Sequence, residues 1–525
     1  MLLTFQIVFG AICAILLTMA GFKVMQILQL SSYRVGGLMK WFKSTKFDYI
    51  LRYFALGFFA FVSMLVFVAC FGKYEYCRLI GSLFLVAGLI LFVTLTQKQK
   101  SKTPLKFTPR IIRLTVLSFL LFFGATFGLT YAGEFTVLQY SLAGFMPLLV
   151  IPVVLLAYYI LWPFEMLNNM RYVSRARKKL AERSELVKIG ITGSYGKTTA
   201  KNILAAMLNS DYSVLYSESS FNTPLGIAKT VNYELKPEHN VFIAEMGARR
   251  KGDIKELCEL VRPSIGIITA VGPQHLETFR TVENIADTKY ELVEGLTEGG
   301  TAVLSSDNEY TRKMYEKAAC KKYLAGENGN EVSYGGVSFG AYGTSFTLKI
   351  GGEERKVTCK LLGRHIPSLV SLCAQVATAL NVSIDNIVSA VENLEPVEHR
   401  LQLIESGEVT VIDDAYNSNS EGAKIALEVL SAFEGARIIV TPGLVEMGDA
   451  EESANNEVGR LVAKHADYAF FVGARAEWLR AGAIDGGMNE DRITTCSTLD
   501  EAVSKLGEIH GKKTVLFEND LPDNL

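Results

Sequence analysis

Five uncharged apolar runs, at 2–21, 53–72, 79–96, 114–132 and 141–162, dominate the start of the chain. Each approaches the ~20 residues that cross a bilayer as a helix, so five transmembrane helices are predicted within residues 1–170. Beyond Arg171 the pattern changes. Short β-branched runs alternate with amphipathic helical stretches: 187–192 then 200–208, 241–245 then 252–261, 265–270 then 283–296, and 302–305. A second series begins near Val409, with strands at 409–413, 436–440, 468–472 and 514–517 and helices at 419–433, 451–465 and 498–509. Such alternation predicts parallel sheets covered by helices, with ligands at the C-terminal strand ends. The expected fold is therefore an α-helical membrane region (1–170), an α/β central domain (171–396) and a Rossmann-like three-layer α/β domain (397–525).

Charge sharpens this division. Residues 1–180 hold 19 of the 53 Lys and Arg but only 4 of the 54 Asp and Glu, so a part near +15 precedes one near −16. The cations gather in the first connection (Lys23, Arg34, Lys40, Lys43, Lys46, Arg52), the third (Lys98 to Arg113) and the stretch from Arg171 to Lys179. Basic loops stay cytoplasmic, which predicts an inner-membrane protein with its N-terminus outside and everything after Arg171 in the cytoplasm. The first run lacks a basic residue ahead of it and is long for a cleaved signal. No run contains an ionisable side chain, so anchoring is expected rather than an ion pathway. The eight cysteines show neither CxxC pairs nor metal spacing; the cytoplasmic ones are expected as free thiols, and Cys70 and Cys77, near the predicted outer face, as two buried thiols with a pair between them as the alternative. The acidic cytoplasmic part lacks a basic, aromatic-studded patch, which argues against nucleic-acid binding.

The chemistry sits in Ile191-Thr-Gly-Ser-Tyr-Gly-Lys-Thr-Thr199, between an apolar lead-in and a helical pattern. It fits the short phosphate-loop form GxxGKT, because the longer pattern requires glycine where Ile191 stands. Backbone N–H groups around Gly193, Ser194, Tyr195 and Gly196 would cradle phosphates, Lys197 would reach the β/γ oxygens, and the Thr198 hydroxyl, followed by Thr199, would hold Mg²⁺. ATP or GTP binding is the prediction.

With this loop stand FNTPLGIAKTVN at 221–232, EMGARRKGDI at 245–254, RPSIGIITAVGPQHLETF at 262–279, ADTKYEL at 286–292, LLGRH at 361–365, EHRLQ at 398–402 and IDDAYNSNS at 412–420. In this order the segments resemble the Mur ligase family, the ATP-dependent amide-forming enzymes of peptidoglycan precursor synthesis, most closely the branch that adds a D-alanyl-D-alanine dipeptide. The resemblance implies that a substrate carboxylate is phosphorylated by ATP and an amine then attacks the acyl phosphate. It implies Glu245 and His275 as ligands of a second Mg²⁺, Lys289 as a carbamylated lysine, Asp414 on the ATP ribose and Arg400 at the phosphates. Asn308 joins the expected nucleotide contacts. Asn222 and Thr223, with Asn417 and Asn419, are the expected substrate positions. Catalysis would then rest on Lys197, Glu245, His275 and Lys289.

The chain also departs from the family pattern. Gly363-Arg-His-Ile-Pro-Ser-Leu369 lacks the amides expected near adenine, Ser420 replaces a proline, and Thr441-Pro-Gly-Leu-Val-Glu-Met-Gly448 and Phe517-Glu-Asn-Asp-Leu-Pro-Asp-Asn524 replace a Gly-Asp-Met and a Gly-Ser-Arg type segment. The apolar runs occupy the place of the small UDP-binding domain of the soluble enzymes. This suggests an acceptor that is lipid-linked or presented at the membrane, with UDP recognition by other loops as the alternative. A poly-γ-glutamate-type polyamide synthase and a non-catalytic membrane scaffold are the other two readings.

Overall fold

The computed structural model describes residues 2–44, 58, 62, 76–97, 103–131, 145–218, 221–416 and 418–519. The predicted run at 53–72, apart from Phe58 and Val62, lies outside them, as do Asn417, Cys70 and the end of the chain after Asn519. The chain divides into two compact units, the first ending at Asn169 and the second spanning Met170–Leu521.

The first unit is helical. Among the described residues three helices are long and apolar enough to cross a membrane, Leu3–Leu30, Pro109–Leu129 and Met146–Ala181, and the run predicted at 79–96 lies in a helix at Tyr76–Gln97. The first helix does not break at Lys23 as the charge pattern suggested. Its continuation to Leu30 has no Gly or Pro to stop it, and Gln29 closes two hydrogen bonds with the Lys106 backbone, at 2.8 and 3.0 Å. Leu17, Met25, Leu28, Phe122 and Val154 form the buried centre. Glu165, beyond the predicted end of the last run, accepts from Arg113 Nε at 2.7 Å.

In the second unit the first sheet has the order β2-β3-β1-β4-β5-β6, all parallel. Its strands are β1 (Val187–Thr192), β2 (Val214–Tyr216), β3 (Val241–Glu245), β4 (Ile265–Ile268), β5 (Thr301–Ser305) and β6 (Lys321–Ala325). The continuous burial of β3 and β4 reflects cover on both faces. One cover is the helix Lys197–Leu208, whose Ile203 and Leu204 share a core with Leu369, Val370 and Cys373 of the helix Ile366–Ala379. Strand β4 stops two residues short of expectation, because Thr269 and Ala270 turn to hold the phosphate loop.

An antiparallel sheet of β7 (Val332–Gly340), β8 (Gly343–Ile350) and β9 (Glu353–Cys359) follows and was not anticipated. Phe346, Leu348 and Ile350 point from β8 into the same core. The last sheet has the order β10-β11-β15-β12-β13-β14, built from β10 (Gln402–Ser406), β11 (Val409–Asp414), β12 (Ala436–Thr441), β13 (Tyr468–Val472), β14 (Ile493–Cys496) and β15 (Lys513–Glu518). Only β10 is antiparallel. The expected helices appear at Ser420–Leu430, Glu451–His465 and Leu499–Leu506, joined by an unanticipated one at Ala476–Asp485. This is the predicted α/β architecture.

Candidate active site

The loop after β1 is set by two glycines. Gly193 has φ +155°, and a side chain there would place Cβ 2.0 Å from Thr269 Oγ1, while at Gly196, with φ +78°, a Cβ would fall 2.8 Å from Leu369 Cδ2. Only glycine fits both. Ser194 N–H donates to Ala270 O at 2.8 Å and its hydroxyl to Gly272 O at 3.0 Å, while Thr269 Oγ1 donates to Tyr195 O at 2.6 Å. The loop is thus stitched to the end of β4 and opens the helix Lys197–Leu208. Lys197 Nζ donates to Gly193 O at 2.8 Å, which folds the ammonium back over the loop. Burial holds its pKa below the usual lysine range.

Beside it a buried cluster surrounds Glu245 at the end of β3. Thr198 Oγ1 donates to Glu245 Oε2 at 3.0 Å, Asn222 Nδ2 donates to Oε1 at 3.1 Å, and Lys201 Nζ stands 3.3 Å from Oε2. Lys201 also donates to Ser217 O at 2.7 Å. Sequence reasoning missed Lys201, although its position four residues after Lys197 puts both on one helical face. Thr223 serves locally, capping the helix Pro224–Glu234 by accepting from Gly226 N–H at 3.3 Å. Lys289, on the helix Val282–Glu294, is 2% exposed, and burial, reinforced by the Lys197 charge, lowers its pKa to about 7.

His275 is not part of the Glu245 cluster. It stands in the left-handed region at φ 51° and its Nδ1 bonds the Glu446 carboxylate, which comes from the loop after β12. Glu446 also pairs with Arg249 Nη1 at 3.7 Å. Asn308 holds the end of β4 in place: Nδ2 donates to Val271 O at 2.9 Å and Oδ1 accepts from Thr311 N–H at 3.2 Å.

Across a cleft from the loop lie residues of β11 and the segments that flank the last sheet. Tyr195, Gly196 and Thr199 line one wall, and Arg400, Asp414 and Asn419 line the other, with His365 and Ile366 between. Asp414 Oδ1 accepts from Leu401 N–H at 3.2 Å, and burial, with Glu518 beside it, lifts its pKa to about 7. The Arg400 guanidinium lies 4.3 Å from the Tyr416 ring centre. Asn419 caps the helix Ser420–Leu430, accepting from Glu421 and Gly422 N–H at 3.1 and 2.9 Å. Glu518 and Asn519, in the segment that departs from the family pattern, are buried: Thr441 Oγ1 donates to Glu518 Oε2 at 2.6 Å and Asn519 Nδ2 to Gly443 O at 2.7 Å. Asn417 lies outside the described residues.

Among the described residues no three His, Cys, Asp or Glu side chains form a closed metal cage. The hydroxyl of Thr198 and the carboxylate of Glu245 are nevertheless the hard oxygen donors that Mg²⁺ takes when nucleotide and water complete its shell. The donor set fits the ion.

Comparison with known proteins gives the same picture. Residues 191–374 match the Mur ligase middle domain and residues 399–518 the Mur ligase, glutamate ligase domain, together more than half of the chain. The UDP-N-acetylmuramoyl-tripeptide--D-alanyl-D-alanine ligase of Bacillus subtilis is 29% identical over 312 residues, 58% of this chain and 66% of the relative. Its Mycobacterium tuberculosis namesake is 33% identical over 286 residues, 53% of this chain and 56% of its own length. The chain thus spans less than two thirds of these relatives. MurF from Acinetobacter baumannii has the same fold, with a TM-score of 0.63 at 24% identity over 67% of this chain and 77% of that one. The MurF ligase from Thermotoga maritima in complex with ADP gives 0.61 at 24% identity, over 67% and 80%. On both domain matches and this shared fold, the chain belongs to the Mur ligase family.

Proposed function

We propose that the chain is a membrane-anchored, ATP-dependent ligase that joins an amine to a carboxylate in peptidoglycan precursor synthesis. The observation that carries this reading is the Thr198–Glu245 contact beside the loop-folded Lys197, at the mouth of a cleft whose far wall holds Arg400 and Asp414. The γ-phosphoryl of ATP passes to an oxygen of the acceptor carboxylate, releasing ADP. The amine nitrogen then forms the amide bond as phosphate leaves and the amine gives up a proton. Such transfer needs positioning and charge neutralisation more than covalent help from the protein. Lys197, with Lys201 behind it, supplies positive charge where the phosphates would lie. Thr198 and Glu245 would hold Mg²⁺, and Glu245 with His275 a second ion as the resemblance implies; the ions would neutralise charge on the phosphoryl oxygens.

Lys289 is chemically suited to carbamylation. With its pKa near 7 much of the amine is neutral in the cytoplasm, and its nitrogen attacks CO₂, giving up a proton to leave a carbamate. The product is an anion that offsets the excess of buried lysines. Asp414 is suited to grip ribose hydroxyls, and the domain that carries it would close over the nucleotide and exclude water.

The apolar helices and basic flanks support anchoring at the inner face of the cytoplasmic membrane, each Lys or Arg near anionic lipid contributing about 1 kcal/mol. An acceptor presented at that surface, the lipid-linked counterpart of the UDP-linked muramoyl tripeptide named for the relatives, fits this placement, with D-alanyl-D-alanine as the amine. Neither the polyamide-synthase nor the scaffold reading finds support among the relatives above. The test is the purified chain in vesicles with ATP, Mg²⁺, either acceptor and a panel of amines, read by phosphate release and product mass. Amide formed in step with phosphate is the expected result. Phosphate release indifferent to every amine would overturn it.

A further inference from the structure

Glu446 joins the two sides of the cleft. It belongs to the loop after β12, yet its side chain meets two loops of the first sheet: one carboxylate oxygen bonds His275 Nδ1 and the other lies 3.7 Å from Arg249 Nη1. Its backbone carbonyl accepts the Glu277 N–H at 3.3 Å. Both members of the His275–Glu446 pair stand in the left-handed backbone region, at φ 51° and 60°, where residues other than glycine rest only if their surroundings hold them there. The approach is close along the whole segment. Leu276 packs on the core of the C-terminal domain, and Gly448, also at positive φ, would bring a Cβ to 3.4 Å from the Glu277 backbone.

We infer that Glu446 is a positioning residue that reaches from the C-terminal domain to orient His275 in the catalytic site. A carboxylate that accepts the Nδ1–H of an imidazole fixes the ring and its tautomer, leaving the Nε2 lone pair available to a metal ion or a proton. Without the Glu446 carboxylate, His275 loses that acceptor, while the Glu277 hydrogen bond and the Leu276 packing still hold the loop. The inference rests on the ligase reading, because orienting His275 affects kcat only if that reaction takes place at this site.

The experiment compares Glu446→Ala, Glu446→Gln and the unaltered full chain. Glu446→Ala should lower kcat about 10–100-fold, the range seen when the partner of a working histidine is removed, with the KM for ATP within about threefold. Glu446→Gln, which keeps an acceptor oxygen, should recover most of that loss. Hydrogen exchange with ADP present supplies a readout apart from activity: in Glu446→Ala, amides of residues 275–280 should exchange faster while those of 193–199 do not change. Unchanged kcat and exchange in Glu446→Ala would overturn the inference. So would an equal fall in both variants accompanied by faster exchange throughout residues 399–518, the mark of a merely structural role. If the unaltered chain makes no amide, yet Glu446 still governs exchange at 275–280, the ligase reading fails and the coupling between the domains stands.

Discussion

The two sheets of the second unit gather opposite charges at their strand ends. At the strand ends of the first, Lys197 and Lys201 stand by the buried carboxylate of Glu245, with Lys289 buried near Lys197. At the strand ends of the last, Asp414 and Glu518 lie side by side in register on β11 and β15, both pushed toward the neutral form by burial. A cationic hollow in low dielectric calls for an anion, and a pair of carboxyls calls for hydroxyls or a cation. On the proposed reading, the first side would hold phosphate and the other would grip hydroxyls. Chemistry is expected on the first, and nucleotide alignment on the second.

Mutations on the cationic wall should therefore strike kcat, and those on the acidic wall KM. The largest effect is expected for Lys197→Met, with kcat for amide formation lowered about 10²–10³-fold, as for other lost donors to developing charge. Because burial already disfavours the Lys197 ammonium, the same change should leave the melting temperature intact or raised. Lys289→Arg keeps a cation but cannot form a carbamate. It should lower kcat by about 10²-fold, a preorganised charge lost, and abolish any stimulation of the enzyme by added bicarbonate.

On the acidic wall, Asp414→Asn should raise the ATP KM about tenfold with kcat nearly unchanged, the value of one hydrogen bond to a charged acceptor. The sign of its pH dependence follows from the raised pKa. Below about 7 the native carboxyl is protonated and a poorer acceptor, so ATP KM should fall as pH rises through 7 in the unaltered chain and stay flat in Asp414→Asn. Smallest is Asn308→Ala, which removes the contacts to Val271 and Thr311 and should cost about 1 kcal/mol of stability, measured by denaturant unfolding. If Lys197→Met moved only KM and Asp414→Asn only kcat, the division of labour between the walls would be reversed.

How much of this was legible in the sequence differs between the same regions. The strands that lead to the phosphate loop and to Glu245 are apolar and mostly buried, the strand that leads to Asp414 is β-branched and half-buried, and their pattern placed all three closely. The antiparallel sheet was missed although its signals are present: β8 alternates inward Phe346, Leu348 and Ile350 with outward residues, and Gly351-Gly352 is a two-residue hairpin turn with both φ positive. The charged run of β9 and the glycines of β7 masked it. Partnerships across the cleft were out of reach for a different reason. His275 and Glu446 lie far apart in the chain, and neither periodicity nor motif spacing links loops of separate sheets. Lys201 was within reach, since helical spacing from Lys197 predicts it.

The central claim, that this site activates a carboxylate as an acyl phosphate, is tested most directly with acceptor labelled by ¹⁸O in its carboxyl group. During ligation by the full chain, one labelled oxygen should move from the acceptor to the released phosphate, detected by mass spectrometry. Amide formation with unlabelled phosphate would contradict the account.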